Sequence, residues 1–197
     1  INIAYKKALG SDPKSAFGGI VILNRNVNNV LSKKINEKFF EIVIAKSFNK
    51  NALVNLRNKK RLILISLNKY NLKQNKEMRS VLDGKLVQQK NLSQINHNNL
   101  RLVSNKNASK TKLNDLIFAL KICKHTKSNC IVLVKNKQLI GVGAGQMSRI
   151  DSTKVSLMKL KSMKKNTKNF VAASDAFFPF NDSIELLIKS GCNTIVQ

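Results

Sequence analysis

Short apolar runs alternate with amphipathic stretches over residues 20–66, and this pattern predicts strands and helices in turn. Strands are predicted at Ile20–Leu23, Ile42–Ala45 and Leu62–Ser66, because each is a short, mostly aliphatic run. Helices are predicted at Asn28–Phe40 and Ala52–Asn58, where apolar residues recur with helical spacing. Strands separated by helices favour βαβ units and a largely parallel sheet.

The pattern weakens over residues 68–111, which are rich in Asn, Lys, Gln and Ser. Only Lys85–Gln88 and Leu100–Val103 are apolar enough to suggest short strands. We therefore interpret this stretch as a linker or an irregular crossover between two domains, residues 1–104 and residues 105–197.

A regular pattern returns in the second domain, which is also predicted to be α/β. The predicted elements are, in order, a helix at Asn114–His125, a hairpin of Cys130–Val134 and Gln138–Val142, a helix from Ser148 to about Met163, a strand at Phe170–Ala173, a helix at Asp182–Lys189 and a final strand beginning near Asn193.

The formal net charge is +26, from 36 basic and 10 acidic residues, and this favours an anionic partner. Nucleic-acid readers rely on Arg for bidentate contacts, but Arg supplies only positions 25, 57, 61, 79, 101 and 149. Lys is instead spread along the whole chain beside many Asn and Ile residues, which indicates compositional drift. A basic nucleic-acid-binding module stays open as an alternative, and phosphorylated small molecules would be attracted by the same charge.

Localisation and metal binding are constrained by what the sequence lacks. No apolar run reaches the roughly 18 residues that a membrane helix needs, so we expect no membrane partner. The cysteines, Cys123, Cys130 and Cys192, have neither metal-ligand nor redox spacing, which suits a reducing cytoplasm and predicts no metal site. The chain begins at Ile1 without a signal peptide and stops just after a strand begins, so we expect both ends to be truncated.

Two glycine-containing segments could bind a ligand. The first, Ser11–Gly19, leads through polar residues and a Gly pair into a strand. This pattern is typical either of a loop whose backbone a ligand approaches closely or of an ordinary turn. The second joins Lys127–Asn129 with Gly141–Arg149, a Gly-rich loop that could offer backbone N–H groups to an anion or could be a hairpin-to-helix turn. Arg149 is a cation in the first turn of a helix, which the dipole disfavours, so we expect it to have an anionic partner.

A third segment, Ser174–Asp182, places three Phe around Pro179. These residues could form an aromatic wall beside a carboxylate, suited to a flat heterocycle, or a core plug with Asp182 as a helix N-cap. The histidines offer little chemistry, because His97 lies in the polar linker and His125 ends a helix.

Taken in order, the segments SDPKSAFGG, KSNCIVLVKNKQLIGVGAGQMSRID and SDAFFPFND resemble the bifunctional AICAR formyltransferase/IMP cyclohydrolase family. The resemblance implies two cytidine-deaminase-like α/β/α lobes, both incomplete here and without zinc. It also implies transfer of a formyl group from the co-substrate 10-formyltetrahydrofolate to the 5-amino group of AICAR in purine biosynthesis, without a metal. The family's active sites are shared across a homodimer.

The resemblance assigns roles residue by residue. It predicts nucleotide contacts at Phe17, Gly18, Glu41, Asn129, Arg149 and Phe177, and folate contacts at Ile150 and Asp182. Glu41 stands where the family has Asp, and its side chain is longer by one methylene. The family's catalytic Lys-His pair corresponds to a position upstream of Ile1, as does the cyclohydrolase domain, so we expect the isolated chain to be inactive. A remnant that only dimerises is a third possibility.

Overall fold

A computed structural model describes residues 1–67, 75–163 and 168–197. They form two compact units, unit 1 (Ile1–Gln94) and unit 2 (Ile95–Gln197). Among the described residues, no helix combines the length and the apolar character needed to cross a membrane.

Unit 1 contains a three-stranded sheet in the order β1-β2-β3, and both pairings are parallel, as predicted. Every strand predicted over residues 20–66 is present, and the first helix in the structure was not predicted. The elements are α1 (Asn2–Leu9), β1 (Gly19–Leu23), α2 (Asn29–Asn36), β2 (Phe40–Ala45), α3 (Lys50–Arg57) and β3 (Ile63–Ser66).

Helix α2 is shorter than predicted. The predicted helix continued to Phe40, but that residue is buried and begins β2. The helix ends at Asn36, whose carbonyl accepts a hydrogen bond from Lys59 Nζ at 2.6 Å. A lysine ammonium at this end satisfies a carbonyl that the helix leaves unpaired and favours the dipole.

The core of unit 1 lies on one face of its sheet. Val43 and Ala45 of β2 are fully buried, whereas Ile42 and Ile44, which alternate with them, point to the opposite face and are partly exposed. Helices α2 and α3 cover the buried face, to which they contribute Leu31, Ile35, Ala52 and Leu56.

The predicted linker contains a hairpin that was only half predicted. Strands β4 (Lys76–Val81) and β5 (Gly84–Gln89) pair antiparallel, and β5 includes the predicted Lys85–Gln88. Strand β4 is exposed throughout and its only apolar residues are Met78 and Val81, so its sequence has no apolar alternation to predict it. The strand predicted at Leu100–Val103 is wrong, because these residues have no regular structure. Residues 68–74 of the predicted linker lie outside the described residues.

Unit 2 contains every element predicted for it, with boundaries shifted by a few residues. Its sheet has the order β7-β6-β8-β9; only β8 and β9 are parallel, so the sheet is mixed. The elements are α4 (Lys110–Cys123), β6 (Ile131–Lys135), β7 (Gln138–Gly143), α5 (Arg149–Ser162), β8 (Phe170–Ser174), α6 (Asp182–Lys189) and β9 (Cys192–Val196).

Helices cover both faces of this sheet. Ile131 and Leu133 of β6 belong to a buried cluster with residues of α5 and α6. Val132 and Val134 alternate with them and belong to a second cluster with residues of α4. Unit 2 is therefore a three-layer α/β/α sandwich, and the chain as a whole has the mixed α/β class that was predicted.

Candidate functional site

The eight predicted site residues fall into two groups. Unit 1 holds Phe17, Gly18 and Glu41, and unit 2 holds Asn129, Arg149, Ile150, Phe177 and Asp182. Whether the two groups converge on one ligand stays a prediction.

The unit 1 residues lie together where β1 and β2 begin. Gly18 has a φ of +72°, which favours glycine, and its N–H donates to the carbonyl of Phe39 at 3.1 Å. A Cβ built on Gly18 would lie 3.6 Å from Glu41 Oε1, so the carboxylate is its direct neighbour. The Phe17 ring is 76% exposed and lies 5.1 Å from the Phe39 ring, centroid to centroid. An aromatic face and a carboxylate thus flank an accessible stretch of backbone.

The main unit 2 residues also share one edge of their sheet. Strand β6 runs antiparallel to both β7 and β8, so its start lies beside the ends of those two strands. Asn129 precedes β6, Arg149 follows β7 and Phe177 follows β8. Loops beyond the carboxyl ends of strands are where open α/β sheets bind ligands.

Asn129 is held in place by the loop that follows β7. Its Nδ2 donates to the carbonyls of Gln146 and Met147, at 3.0 and 3.1 Å. Its own carbonyl accepts a hydrogen bond from Ser152 Oγ on α5, at 2.6 Å. Because the side-chain N–H groups are directed to the backbone, Oδ1 is the atom that can accept a hydrogen bond from a ligand.

Arg149 has the anionic partner that its position in the helix predicted. Its Nη2 donates to Asp175 Oδ1 at 3.0 Å, and its Nε donates to Ser174 Oγ at 2.9 Å. The Arg149 and Asp175 side chains are only 13% and 12% exposed. The carboxylate offsets the unfavourable interaction between a cation and the helix N-terminus, and the two contacts fix the guanidinium plane.

Asp175 joins the three loops of this edge. Burial acts to raise the pKa of its carboxyl, but hydrogen bonds from the Ser128 side chain, the Cys130 backbone and Arg149, together with the Arg149 charge, outweigh burial. The pKa of Asp175 therefore lies below its usual value, and the group is ionised at neutral pH.

This pKa shift predicts a pH-dependent contribution to stability. A carboxyl whose pKa is lowered by folding stabilises the folded state fully above its unfolded pKa, near 3.8. This stabilisation is lost as the pH falls through the lower pKa of the folded state. We expect Asp175→Asn to destabilise unit 2 at pH 7 and the difference from wild type to shrink in acid. Urea unfolding at pH 7 and pH 3 measures this; a constant difference between the two proteins would contradict the assignment.

The glycines of the Gly141–Arg149 segment serve close packing more than ligand binding. A Cβ on Gly143 would lie 1.8 Å from the Ser152 carbonyl oxygen, and one on Gly141 would lie 2.3 Å from that of Ser156. The N–H of Gly145 is already used, donating to the Lys127 carbonyl at 2.8 Å. The hairpin-to-helix alternative therefore describes these glycines better than an open anion-binding loop.

The two alternatives for the Phe-rich segment are each partly right. Phe178 packs against the buried cluster beneath α5 and α6, as a core plug would. Phe177 and Phe180 are 67% and 72% exposed and are accessible to a planar ligand.

The expectation that Asp182 caps α6 is wrong. Asn181 occupies the N-cap, and Asp182 is the first helical residue, with its side chain exposed and accepting from the Ser183 N–H at 2.6 Å. The other predicted folate contact, Ile150, is a half-buried residue in the first turn of α5.

The histidines are not part of either group. His97 and His125 are both exposed, and the backbone N–H of His125 donates to the Ile122 carbonyl at the end of α4. In residues 1–67, 75–163 and 168–197, no three His, Cys, Asp or Glu side chains are placed to hold a metal.

Three polar residues of the unit 2 site, Ser128, Ser174 and Asp175, lie within the predicted segments but were assigned no individual role. One signal could have found Asp175, since a carboxylate directly after a strand is a natural partner for an arginine that begins a nearby helix. The serines have no sequence signal of their own, because their role appears only once the loops are side by side.

Comparison with known proteins shows which family this chain is related to. The sequence model of a family described as "AICARFT/IMPCHase bienzyme" matches residues 1–159. Proteins named bifunctional purine biosynthesis protein PurH are 40% identical in Persephonella marina, over 98% of this chain and 38% of the relative, and 43% identical in Buchnera aphidicola, over 98% and 37%. The chain thus spans somewhat over a third of its relatives' length. It belongs to the AICARFT/IMPCHase bienzyme family.

Proposed function

We propose that this chain supplies part of the active site of an AICAR formyltransferase, which transfers a formyl group from 10-formyltetrahydrofolate to AICAR in purine biosynthesis. The observation that best supports the proposal is the fixed cluster of Asn129, Arg149 and Asp175, with the exposed Phe177 two residues further along the chain from Asp175. The family match supports the same reaction.

The reaction needs accurate positioning and control of one proton. The amine of AICAR is conjugated to an imidazole carboxamide and is therefore a poor nucleophile. A bond forms between this nitrogen and the formyl carbon, and the bond from that carbon to the folate nitrogen breaks. The amine loses a proton and the folate nitrogen gains one. Orientation of the two reactants and proton transfer are therefore what the site must provide.

The residues of unit 2 suit the nucleotide. Asn129 Oδ1 can accept from the carboxamide N–H, and the remaining terminal nitrogen of Arg149 can bind an anionic group. The exposed Phe177 ring offers a flat surface to the imidazole. Ile150 and Asp182 would contact the folate, where the carboxylate can accept from a pterin N–H.

The residues of unit 1 complete the proposal. Phe17, Gly18 and Glu41 would contact the nucleotide from the loops that begin β1 and β2. In this proposal the chain comprises two incomplete formyltransferase lobes of cytidine-deaminase-like fold, residues 1–104 and 105–197, and the boundary between units 1 and 2, after Gln94, lies ten residues before that division. The parent enzyme would be a cytoplasmic homodimer with shared active sites, and its IMP cyclohydrolase activity would reside in another domain.

A formyl-transfer assay tests the proposal. The isolated 197 residues should give no turnover, because the family's catalytic Lys-His pair is assigned to none of them. A chimera in which they replace the matching segment of the Persephonella marina relative should form tetrahydrofolate when AICAR is supplied, and Asn129→Ala should abolish most of that rate. His125→Ala is the control and should leave the rate unchanged, since His125 lies in neither group.

Two outcomes would contradict the proposal. One is turnover by the isolated chain, because the catalytic groups would then lie within it. The other is a folded chimera, with the thermal stability of the relative, that shows no AICAR-dependent turnover. The nucleic-acid alternative depended on net charge, and the family match does not support it.

A further inference from the structure

Two of the three cysteines are in contact inside unit 2, although their separation along the chain is not a redox spacing. Cys123 is the last residue of α4, and Cys130 directly precedes β6. Their Sγ atoms are 3.7 Å apart, and both side chains are buried. The proposed formyl transfer makes no use of this thiol pair.

A disulfide between the two sulfurs requires only a short movement. Sulfur atoms that are already in contact must approach to about 2.05 Å to bond. Both cysteines lie at the ends of regular elements, and residues 124–129 between them contain neither helix nor strand. Side-chain rotation and a small adjustment of this connection can therefore close the distance while α4 and β6 keep their places.

The surroundings make Cys130 the more reactive of the two thiols. Hydrogen bonds with the Cys123 and Thr126 side chains lower the pKa of the Cys130 thiol, although burial acts in the opposite direction. The pKa of the Cys123 thiol is raised by its hydrogen bond with Cys130 and by burial. Because the thiolate is the nucleophilic form, Cys130 is the residue that attacks an oxidant and Cys123 the one that completes a disulfide.

The third cysteine, Cys192, provides an internal comparison. It belongs to the buried cluster with residues of α5 and α6, on the opposite face of the sheet from Cys123 and Cys130. Burial raises the pKa of its thiol to about 11. Cys192 therefore has neither a thiol neighbour nor thiolate character, and we expect it to resist oxidation.

Cys130 is connected directly to the unit 2 site. It is the residue after Asn129, and its carbonyl accepts a hydrogen bond from the Asp175 N–H at 3.3 Å. Its own backbone N–H donates to the Asp175 carboxylate, which in turn pairs with Arg149. Movement of Cys130 toward Cys123 therefore displaces Asn129 and disturbs the hydrogen bonds of Asp175.

We propose that Cys123 and Cys130 are a redox modification site, at which a peroxide converts the two thiols to a disulfide that displaces Asn129. The Cys130 thiolate attacks one peroxide oxygen, the O–O bond breaks, and Cys130 becomes a sulfenic acid while the departing hydroxide takes up a proton and leaves as water. The Cys123 sulfur then attacks the sulfenic sulfur, the S–O bond breaks, and the hydroxyl group leaves with the Cys123 proton as a second water. A small thiol reverses the oxidation by exchange.

Mass spectrometry of the 197-residue chain treated with hydrogen peroxide tests this proposal. Wild type and Cys192→Ala should each lose two hydrogen atoms, peptide mapping should place the disulfide between Cys123 and Cys130, and dithiothreitol should restore the original mass. Cys123→Ala and Cys130→Ala should form no disulfide, and circular dichroism verifies that each variant is folded. Mapping in wild type and Cys192→Ala decides the assignment even if another variant does not fold.

The effect on the site is measured separately. Backbone NMR signals of Asn129 and Asp175 should shift between the reduced and oxidised forms of wild type, whereas the signals of unit 1 should not. If the proposed function holds, oxidation should also weaken AICAR binding about tenfold. Absence of AICAR binding in both forms would contradict that function, whereas the mass and the NMR signals decide the redox site without AICAR.

Four results would overturn the proposal. Both thiols could survive peroxide, oxidation could stop at a sulfinic acid on Cys130, or the disulfide could join Cys192 or two chains. In the fourth, the disulfide forms but the Asn129 signals are the same in both forms, which would show that the site does not respond to it.

Discussion

Replacing Gly143 with alanine is expected to lower the free energy of unfolding of unit 2 by about 3 kcal/mol. The added Cβ would lie 1.8 Å from the carbonyl oxygen of Ser152 and 2.8 Å from its Cα. These are backbone atoms of α5, so no side-chain rotation can relieve the overlap and the helix must move away from β7. The expected loss of stability lies at the upper end of the range measured for overpacked cores.

Urea unfolding of Gly143→Ala, followed by circular dichroism, measures this effect. Gly84→Ala is the control, because a Cβ there lies at an ordinary 3.7 Å from the Val81 carbonyl and the glycine also belongs to a strand. A stability within about 0.5 kcal/mol of wild type, the usual range for surface changes, would contradict the close packing of α5 on β7.

Replacing Arg149 with alanine is expected to weaken AICAR binding by about ten- to a hundredfold. This corresponds to loss of one charge-assisted hydrogen bond, worth about 1.5–3 kcal/mol. Arg149→Lys should recover only part of the affinity, because an ammonium keeps the charge but cannot contact Ser174 and Asp175 in the planar geometry of the guanidinium. Isothermal titration with AICAR gives the dissociation constants.

Lys154→Ala is the matched control for charge. Lys154 lies on the same helix, but its side chain is 64% exposed and pairs with Asp151 at 3.5 Å. If its loss weakens AICAR binding as much as the loss of Arg149, the effect is a general one of positive charge. Thermal unfolding must accompany the titration, since removal of Arg149 also leaves the Asp175 carboxylate without its cation.

The fold could be predicted where burial imposes a pattern. Strand β6 is almost entirely buried and α6 has a clear apolar side, and both were predicted within a residue or two. Helix α1 and strand β4 were missed, because α1 buries only Tyr5 and β4 buries nothing. An element that buries few side chains does not need apolar residues at regular spacing. Its sequence therefore has no pattern from which the element could be predicted.

The candidate site could be predicted only as separate segments. The motif resemblance indicated Asn129 and Arg149, but the partner of Arg149 depends on β8 lying next to β6, which a local pattern does not contain. The glycines of β7 looked like those of a ligand-binding loop, because glycine is required equally by close packing and by exposed backbone. The sequence therefore indicated which segments contain site residues, but not which of their residues face a ligand and which serve packing.

An NMR titration of AICAR into the isotopically labelled chain tests most directly whether the loops at the Asn129 edge of the unit 2 sheet bind the nucleotide. Backbone signals of Asn129, Arg149 and Phe177 are expected to shift together along one saturable binding curve. Shifts scattered over exposed lysines, or no saturable shift at all, would contradict the proposed function.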